Sequence, residues 1–138
     1  MHQALAILTF DTDGQGMLEI TDDVTSWLRA TDIRMGTVTL FCQHTSASLM
    51  ISENAAPAVR RDLLRWLDLA APEGDGYEHS AEGEDDMPAH IKAMLTGNSL
   101  TIPLADGKMM LGSWQGVFLV EHRRDAHKRY IVAHAMGD

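Results

Sequence analysis

Ser99-Leu-Thr-Ile-Pro-Leu104, Gly116-Val-Phe-Leu-Val-Glu-His122 and Tyr130-Ile-Val-Ala-His-Ala-Met136 follow one another without a helical pattern between them. Each is rich in β-branched or other apolar residues and is interpreted as a β-strand. Ala105-Asp-Gly-Lys108 supplies a hairpin turn after the first stretch, and it leads into a short strand from Met109 to Leu111. Strands that gather in a run, instead of alternating strictly with helices, favour an α+β architecture over a doubly wound sheet.

Three further strands are predicted in the first half of the chain. His2 to Phe10 alternates apolar and polar residues, and Asp11 to Gly16 supplies turn residues after it. Thr37 to Gln43 and Ser48 to Ser52 flank a polar break at His44-Thr-Ser46. Hydroxyls and backbone amides at such a break can hold phosphate oxygens, so we regard it as a candidate binding segment.

Three helices complete the predicted fold. Thr21 is the expected N-cap of the first, whose apolar residues follow at three-and-four spacing. The second runs from Pro57 to Leu69 with a broad apolar stripe, and the third opens at Pro88 and ends near Gly97. At 138 residues the chain fits a single domain spanning residues 1–138. We therefore predict packed mixed or antiparallel β-sheets, arranged like a sandwich, with flanking helices.

Composition and charge describe an ordinary globular protein. Apolar residues make up 45% and charged residues 22%, so neither disorder nor a fibrous repeat is indicated. No apolar run approaches the ~20 residues of a membrane span, and the start of the chain lacks a secretory signal, so we expect a cytoplasmic protein without membrane contact. The formal charge of -9 argues against a nucleic-acid surface, which needs clustered basic residues.

Cysteine and arginine usage suggest few special roles. Cys42 is the single cysteine and is expected to be a small buried hydrophobe. The basic pairs Arg60-Arg61, Arg123-Arg124 and Lys128-Arg129 are expected on the surface. One of them could instead hold a small phosphorylated substrate, because the guanidinium fork matches phosphate geometry.

A long acidic loop is predicted from Ala71 to Asp86, because this stretch has proline, several glycines and carboxylates but no apolar period. Long loops are uncommon in compact domains unless they are mobile or functional. A solvated acidic surface loop explains the same residues, and both interpretations remain open.

Three histidines lie beside polar residues in stretches without a core pattern: His44, His79 and His90. Neutral imidazole is the commonest ligand of zinc-like metals, and catalytic sites often have three protein ligands and one open position. The spacing matches no local helix motif, so the fold would have to assemble the trio, and each histidine could also be an ordinary surface residue.

Carboxylates in the same region suit magnesium. Glu82, Asp85 and Asp86 offer hard oxygen ligands of the kind that magnesium uses together with substrate phosphates. Ser46 lacks the glycine-flanked elbow of a serine nucleophile, which disfavours serine hydrolysis. For water activation at a histidine site, Glu82 or Glu121 would be the general base.

Three segments together resemble the YjbQ-like family, also called the secondary thiamine-phosphate synthase family. They are His44-Thr-Ser-Ala-Ser-Leu-Met-Ile-Ser-Glu-Asn-Ala56 with Arg60-Arg-Asp62, the stretch Tyr77 to Leu95 containing Asp85-Asp-Met-Pro-Ala-His-Ile-Lys92, and Gly112-Ser-Trp-Gln-Gly-Val-Phe-Leu-Val-Glu-His-Arg123. The match covers nearly the whole chain in the family's order. Departures are Glu84 where proline is common, Ser80 where Asn or Asp is common, and Ser113 where threonine is usual.

The resemblance implies a fold of packed sheets with flanking helices, a homotrimer, and a polar cavity near the motif residues. It also implies a weak transferase activity that joins a pyrimidine pyrophosphate to a thiazole phosphate and releases pyrophosphate. In such a reaction, magnesium on Asp85 or Asp86 and the cation of Arg123 would stabilise the leaving group, and Trp114 would stack on the pyrimidine. Two alternatives remain open: a metal-dependent hydrolase with a histidine-rich site, and a non-catalytic trimer that binds a metabolite or a metal.

Site residues are carried over from the resemblance in three roles. The expected catalytic residues are Glu82, Asp86, Glu121 and His122. The expected substrate-binding residues are Thr45, Ser46, Asn54, Trp114, Gln115 and Arg123. The expected metal ligands are His44, His79 and His90, for a zinc-like ion, with magnesium brought by the substrate as the alternative.

Overall fold

A computed structural model describes residues 1–74 and 76–138 of the chain. Its elements in chain order are β1 (His2–Thr12), β2 (Gly16–Glu19), α1 (Thr21–Arg29), β3 (Gly36–Cys42), β4 (Ala47–Glu53), α2 (Pro57–Ala70), α3 (Asp86–Thr96), β5 (Ser99–Ala105), β6 (Lys108–Met109), β7 (Gln115–Glu121) and β8 (His127–Gly137).

The strands form two sheets. The larger sheet has the order β1-β8-β3-β5-β6, and the smaller sheet has the order β2-β7-β4. Every described strand pair is antiparallel. The α+β prediction with packed sheets and flanking helices is therefore confirmed, and of the two expected sheet types it is the antiparallel one that forms.

The hairpin between β5 and β6 has the conformation that its sequence favours. Asp106 and Gly107 have φ values of 52° and 74°. Positive φ at both central residues is the signature of a type I′ turn, whose twist matches that of antiparallel strands. The strand that follows covers Lys108–Met109, slightly earlier than the predicted Met109 to Leu111.

Strand β2 was missed by the sequence interpretation. It is four residues long and pairs with β7 from Gly16 opposite Glu121 to Glu19 opposite Phe118. So short a segment carries little period-two signal, and it becomes a strand because the edge of β7 is available for pairing.

Helix ends also differ from the predictions. Thr21 is the first residue of α1 and not its N-cap; its hydroxyl donates to Glu19 Oε2 at 2.8 Å and accepts from the backbone N–H of Val117 at 2.9 Å. Helix α3 begins at Asp86, so that Pro88 lies inside the first turn, where its missing N–H is tolerated. The predicted end of this helix near Gly97 is confirmed.

The core lies between the two sheets and α1. Val24 and Leu28 of α1 are buried against strand residues, and Trp27 packs partly against them, as their spacing predicted. Helix α2 contributes much less, since Leu67 is its buried residue while Trp66 and Leu69 are 60% and 71% exposed. The apolar stripe predicted for this helix is therefore only partly covered within one chain.

A close approach of two strands fixes one end of the larger sheet. Gly36 of β3 pairs with Gly137 of β8, and a Cβ added to Gly137 would lie 1.9 Å from the carbonyl oxygen of Met35. Only glycine allows the backbones to come this close.

The outer face of the larger sheet is apolar and exposed. We define it by Leu5, Ile7, Phe41, Tyr130 and Met136, which lie on the neighbouring strands β1, β3 and β8. Scattered exposed hydrophobics are normal, but a contiguous group on one sheet face is typical of interaction surfaces.

The segment between α2 and α3 contains neither helix nor strand in residues 71–74 and 76–85, which confirms the loop prediction for these residues. The part of the predicted loop at Asp75 lies outside the described residues.

Candidate functional site

The smaller sheet divides the sequence-predicted site residues between its two ends. Ala47 of β4 pairs with Glu121 of β7 at one end, and Glu53 pairs with Gln115 at the other. The ends are six residue steps apart along β4, a separation of about 20 Å at about 3.3 Å per residue. Residues near positions 45–46 and 121–123 therefore meet each other, whereas Asn54, Trp114 and Gln115 lie far from them in the same chain.

Two histidines and one aspartate converge near the end of the smaller sheet where Ala47 pairs with Glu121, which we call the first end. We call His79, Asp86 and His90 the histidine–aspartate cluster. Their ligand-type atoms all lie within 4.8 Å of one another. The Nε2 atom of His79 is 2.6 Å from Asp86 Oδ2, and the Nε2 atom of His90 is 3.3 Å from the same oxygen. Two of the three predicted metal histidines are thus brought together, with Asp86 between them.

The local fold explains how this cluster is positioned. Asp86 and His90 are four residues apart on α3, which puts their side chains on one helix face. The Nδ1 atom of His90 lies 2.9 Å from the backbone oxygen of Thr45 and donates to it, because a carbonyl can only accept. The lone pair of neutral His90 is therefore on Nε2, directed at Asp86, an arrangement common among metal-binding histidines.

Arg123 holds the acidic side of the cluster. Its Nε donates to Asp85 Oδ2 at 3.0 Å, its Nη1 to Asp86 Oδ1 at 2.8 Å, and its Nη2 to the backbone oxygen of Glu82 at 2.9 Å. The hydrogen bond to Asp85 raises the pKa of the Arg123 guanidinium. Arg123 thus links the loop, the start of α3 and the end of β7.

Both aspartates are held in their ionised form. Burial raises the pKa of Asp86, but the hydrogen bonds with His79 and Glu82, together with the charges of His90 and Arg123, outweigh burial, so the pKa lies below its ordinary value. Burial likewise raises the pKa of Asp85, and hydrogen bonds from the Arg124 backbone and the Arg123 side chain bring it below the ordinary value. An ionised Asp86 is the form that binds a cation.

Glu82 lies at the rim of the cluster. Its Oε2 is 3.5 Å from His79 Nε2, and its side chain is largely exposed. Of the carboxylates predicted to act as bases, it is the one that remains accessible beside the cluster.

The structure does not bring His44 into this cluster. Its Nε2 accepts a hydrogen bond from the backbone N–H of Tyr130 at 2.8 Å, and its ring stacks on Tyr130 with centroids 5.7 Å apart. Burial and then the charge of Arg129 lower the pKa of His44. A neutral ring that already accepts a hydrogen bond is positioned as a structural group in this chain.

Glu121 forms a buried ion pair. Arg129 donates to it through Nε at 2.7 Å and through Nη2, and Thr12 donates to it at 2.5 Å. Burial raises the pKa of Glu121, and the bonds from Arg129 and Thr12 outweigh burial, so the pKa lies below its ordinary value. Arg129 Nη2 also donates to Ser46 Oγ at 3.0 Å. These bonds occupy the carboxylate of Glu121 and the hydroxyl of Ser46 as a structural network.

His122 is enclosed in the protein, with 2% of its surface exposed. Its Nε2 lies 2.8 Å from the hydroxyl of Ser48, which in turn contacts the hydroxyl of Thr96. Burial and then the charge of Lys92 lower the pKa of His122 to about 4. The ring is therefore neutral at physiological pH.

The second end of the smaller sheet holds the remaining predicted residues. Asn54 donates to Glu19 Oε2 at 3.0 Å, and Gln115 Oε1 accepts from the backbone N–H of Gly112 at 2.8 Å. Trp114 is 67% exposed. The first two amides thus support local loops, and the indole is free to contact another molecule.

Sequence reasoning missed several buried polar residues near the first end. Arg129 was expected on the surface, but it is 4% exposed. It shares the spacing of every second residue with Ile131 and Ala133, which places all three on the inward face of β8, in alternation with outward residues. That alternation was the available signal. For Lys92 and Ser48 the sequence carried no such signal, since a lone polar residue in a helix or strand gives no indication of its partner. Cys42 is buried as predicted, and burial raises the pKa of its thiol.

Over residues 1–74 and 76–138, none of the helices has the length and apolar character that crossing a membrane requires.

Sequence comparisons identify relatives over nearly the whole chain. Residues 6–138 match the family described as UPF0047 protein YjbQ-like. A UPF0047 protein of Synechocystis sp. is 43% identical over 138 residues, covering 99% of this chain and 94% of that protein. The UPF0047 protein YjbQ of Escherichia coli O157:H7 is 39% identical over 132 residues, covering 95% of this chain and 96% of that protein.

Solved structures share the fold. A YjbQ/UPF0047-family protein from Clostridium acetobutylicum superposes with a TM-score of 0.88 at 33% identity, covering 95% of this chain and 99% of that one. A conserved hypothetical protein from Thermus thermophilus superposes with a TM-score of 0.85, also at 33% identity and with the same coverage. The names of these proteins state no activity, so the likeness concerns family and fold.

Proposed function

The chain belongs to the YjbQ-like UPF0047 family, and from that premise we propose that it is a metal-dependent hydrolase of a small phosphorylated metabolite, with a zinc-like ion at the histidine–aspartate cluster. The observation that carries the proposal is the convergence of two imidazole nitrogens and one carboxylate oxygen within 4.8 Å. Two histidines and a carboxylate, with a further position open to water or substrate, form a common ligand set of catalytic zinc sites.

The residues present fit such an ion. The Nε2 atoms of His79 and His90 both point at Oδ2 of Asp86. Without a cation, a proton must lie between a ring nitrogen and this oxygen to make the contact favourable. A bound cation would take the place of that proton and contact all three atoms. The backbone oxygen of Thr45 fixes the tautomer of His90, and Arg123 fixes the other oxygen of Asp86. Such outer partners orient ligands and are a regular part of metal sites.

The neighbouring residues supply the remaining requirements of hydrolysis. When bound, a zinc-like ion would act as a Lewis acid that lowers the pKa of water and polarises a phosphoryl group. The exposed carboxylate of Glu82, next to His79, would accept a proton from the attacking water. Arg123 uses three of its five N–H groups within the protein, which leaves two to bind phosphate oxygens.

The pyrophosphate-releasing transfer expected from the family resemblance remains a second proposal. Arg123 beside Asp85 and Asp86 favours it, because a cation and two hard oxygen ligands suit magnesium and a pyrophosphate leaving group. This reaction makes a different demand on the structure. Trp114 lies about 20 Å away along β7, so it would have to reach the cluster of a different subunit in order to stack on the substrate.

A homotrimer in the cytoplasm is part of the same proposal. The exposed apolar face formed by Leu5, Ile7, Phe41, Tyr130 and Met136 supports self-association, because subunit interfaces bury such faces. Sedimentation equilibrium would give three times the 15.2 kDa chain mass for a trimer. Replacing Ile7 by lysine is expected to shift the mass toward that of one chain.

Metal analysis with matched histidine variants tests the cluster. Untagged protein purified without chelator is expected to contain about one zinc-like ion per chain, since three protein ligands are the set by which catalytic sites retain zinc. His90→Ala removes one ligand and is expected to lose the ion. His44→Ala is the matched control, because it removes another half-buried histidine that lies outside the cluster, and it should keep the ion. Full occupancy in His90→Ala, with unchanged circular dichroism, would contradict the assignment.

Turnover separates hydrolysis from the other proposals. With p-nitrophenyl phosphate as a general probe, zinc-dependent release of phosphate that falls about 100-fold or more in Glu82→Gln would support hydrolysis with Glu82 as base. Turnover that instead needs magnesium and both halves of a pyrophosphate-releasing condensation would favour the transferase. Retained metal without either activity would identify a binding module.

A further inference from the structure

A polar cavity lies on the other side of α3 from the histidine–aspartate cluster. It has a volume of about 170 Å³ and lies between α2, α3 and the end of β7. We call it the His122 cavity, lined by Gln15, Leu64, Leu67, Asp68, Lys92, Glu121 and His122.

The cavity is separate from the cluster. His90 belongs to the cluster and Lys92 lines the cavity, and these two residues are two positions apart on α3. At 3.6 residues per turn, positions two apart lie about 200° apart around the helix. One face of α3 thus serves the cluster and the opposite face serves the cavity, so a ligand in the cavity needs no metal at the cluster.

The hydrogen-bond chain behind the cavity fixes the tautomer of His122. The hydroxyl of Thr96 donates its single proton to the backbone oxygen of Lys92 at 2.8 Å. Ser48 must therefore donate to Thr96, and Ser48 then has no proton left for the ring. In the contact of 2.8 Å between Ser48 Oγ and His122 Nε2, the ring is the donor. A neutral ring with its proton on Nε2 has its lone pair on Nδ1.

The Nδ1 lone pair of His122 faces the cavity. Among residues 1–74 and 76–138, the ring has Ser48 as its one hydrogen-bond partner. Yet no side-chain nitrogen or oxygen of these residues is both fully buried and without a partner. Nδ1 must therefore contact solvent-sized space, and for a side chain with 2% exposure that space is the cavity it lines.

A donor faces the same space. Lys92 is 3% exposed and gives one of its three ammonium protons to Asp68 Oδ1 at 2.6 Å. Two protons remain for other acceptors. The charges around the cavity are already balanced, because Lys92 pairs with Asp68 and Glu121 pairs with Arg129. A charged ligand would disturb these pairs, whereas a neutral ligand would not.

We propose that the His122 cavity binds a small, neutral, ring-sized molecule of the lactam type, whose N–H donates to His122 Nδ1 and whose carbonyl accepts from the Lys92 ammonium. The size agrees, since apolar cavities of about 150 Å³ accept benzene. Leu64 and Leu67 supply an apolar wall for the ring. A lactam carries a donor and an acceptor side by side, which suits a cavity whose lining offers both an acceptor, His122 Nδ1, and a donor, the Lys92 ammonium.

The test uses 2-pyridone, a neutral six-membered lactam, and follows the ring nitrogens of His122 by NMR in the full chain labelled with ¹⁵N-histidine. Saturable perturbation of the His122 Nδ1 signal is expected. The control ligand 1-methyl-2-pyridone keeps the ring and the carbonyl but has no N–H, and it should bind at least about tenfold more weakly, because Nδ1 then stays without a donor.

Two variants of the same helix serve as matched controls. Leu64→Trp fills the cavity and is expected to abolish binding of 2-pyridone, whereas Leu69→Trp places the same ring at a position that is 71% exposed and should leave binding unchanged. Equal binding of both pyridones would overturn the proposal, as would unchanged binding in a folded Leu64→Trp protein. A His122 signal that stays constant up to the solubility limit of 2-pyridone would also overturn it.

Discussion

Acidification is expected to destabilise the folded protein through His122. The pKa of this ring is about 4 in the folded protein, against an ordinary value of 6.5, because burial disfavours the charged form. The unfolded chain therefore takes up a proton more readily than the folded chain over this interval. Stability from this residue is complete above pH 6.5, decreases as the pH falls below it, and is lost in full below about pH 4.

The magnitude follows from the two pKa values. A difference of about 2.5 corresponds to about 3 kcal/mol when fully expressed. At about pH 5 the unfolded ring is mostly protonated and the folded ring mostly neutral, which gives a loss of about 2 kcal/mol relative to about pH 7.5. His44, whose pKa is also lowered, contributes in the same direction, so the effect of His122 has to be separated from it by a variant.

Urea unfolding of the wild type and His122→Gln at both pH values isolates this contribution. Glutamine keeps an N–H donor near the position of Nε2, so the bond to Ser48 can persist while the titratable group is removed. The free energy of unfolding of the wild type should fall by about 2 kcal/mol more than that of the variant between about pH 7.5 and about pH 5. Parallel decreases in the two proteins would refute the assignment of a neutral, enclosed His122.

Three further predictions concern other parts of the structure, and each is tested by urea unfolding at neutral pH. Arg129→Met leaves the carboxylate of Glu121 buried without its partner and is expected to lower the free energy of unfolding by about 4 kcal/mol. Adding Glu121→Gln should restore part of this stability. A loss below about 1 kcal/mol in Arg129→Met would show that the pair is solvated. Asp68→Asn leaves the ammonium of Lys92 buried without its charged partner and should lower the free energy of unfolding by about 3 kcal/mol. Lys92→Met leaves only the exposed Asp68 without a partner and should lower it by less than about 1 kcal/mol. Equal losses in the two variants would contradict this asymmetry. Gly137→Ala forces a Cβ against the carbonyl of Met35 and should cost about 3 kcal/mol, and an unchanged midpoint would show that the strands can separate there.

Several local features could be predicted because neighbouring residues alone determine them. The turn at Asp106-Gly107 requires positive φ at both positions, which the residue pair accepts readily. The end of α3 at Gly97 and the buried face of α1 at Val24 and Leu28 follow from capping and from helical periodicity. The α+β class followed from the run of strands.

The candidate site was predictable only in part. His79, Asp86 and His90 were recognised as ligand types, and the helical spacing of Asp86 and His90 could be read from the chain, but the loop that brings His79 to them could not. His44 was grouped with them because it lies beside polar residues and in a motif of the family resemblance, but its ring pairs with Tyr130, which the approach of β8 brings to it.

The sequence by itself determined every strand except β2, the main helices and the residue types able to do chemistry, because these depend on interactions within a few residues along the chain. The tertiary structure decided which of these residues meet. The register of β4 on β7 places positions 46 and 121 together and positions 54 and 114 at the opposite end. The antiparallel pairing of distant strands buries Arg129 beside Glu121 and encloses His122. Contacts between residues far apart in sequence, and the loss of solvent that accompanies them, are set by packing of the whole chain, and no local pattern encodes them.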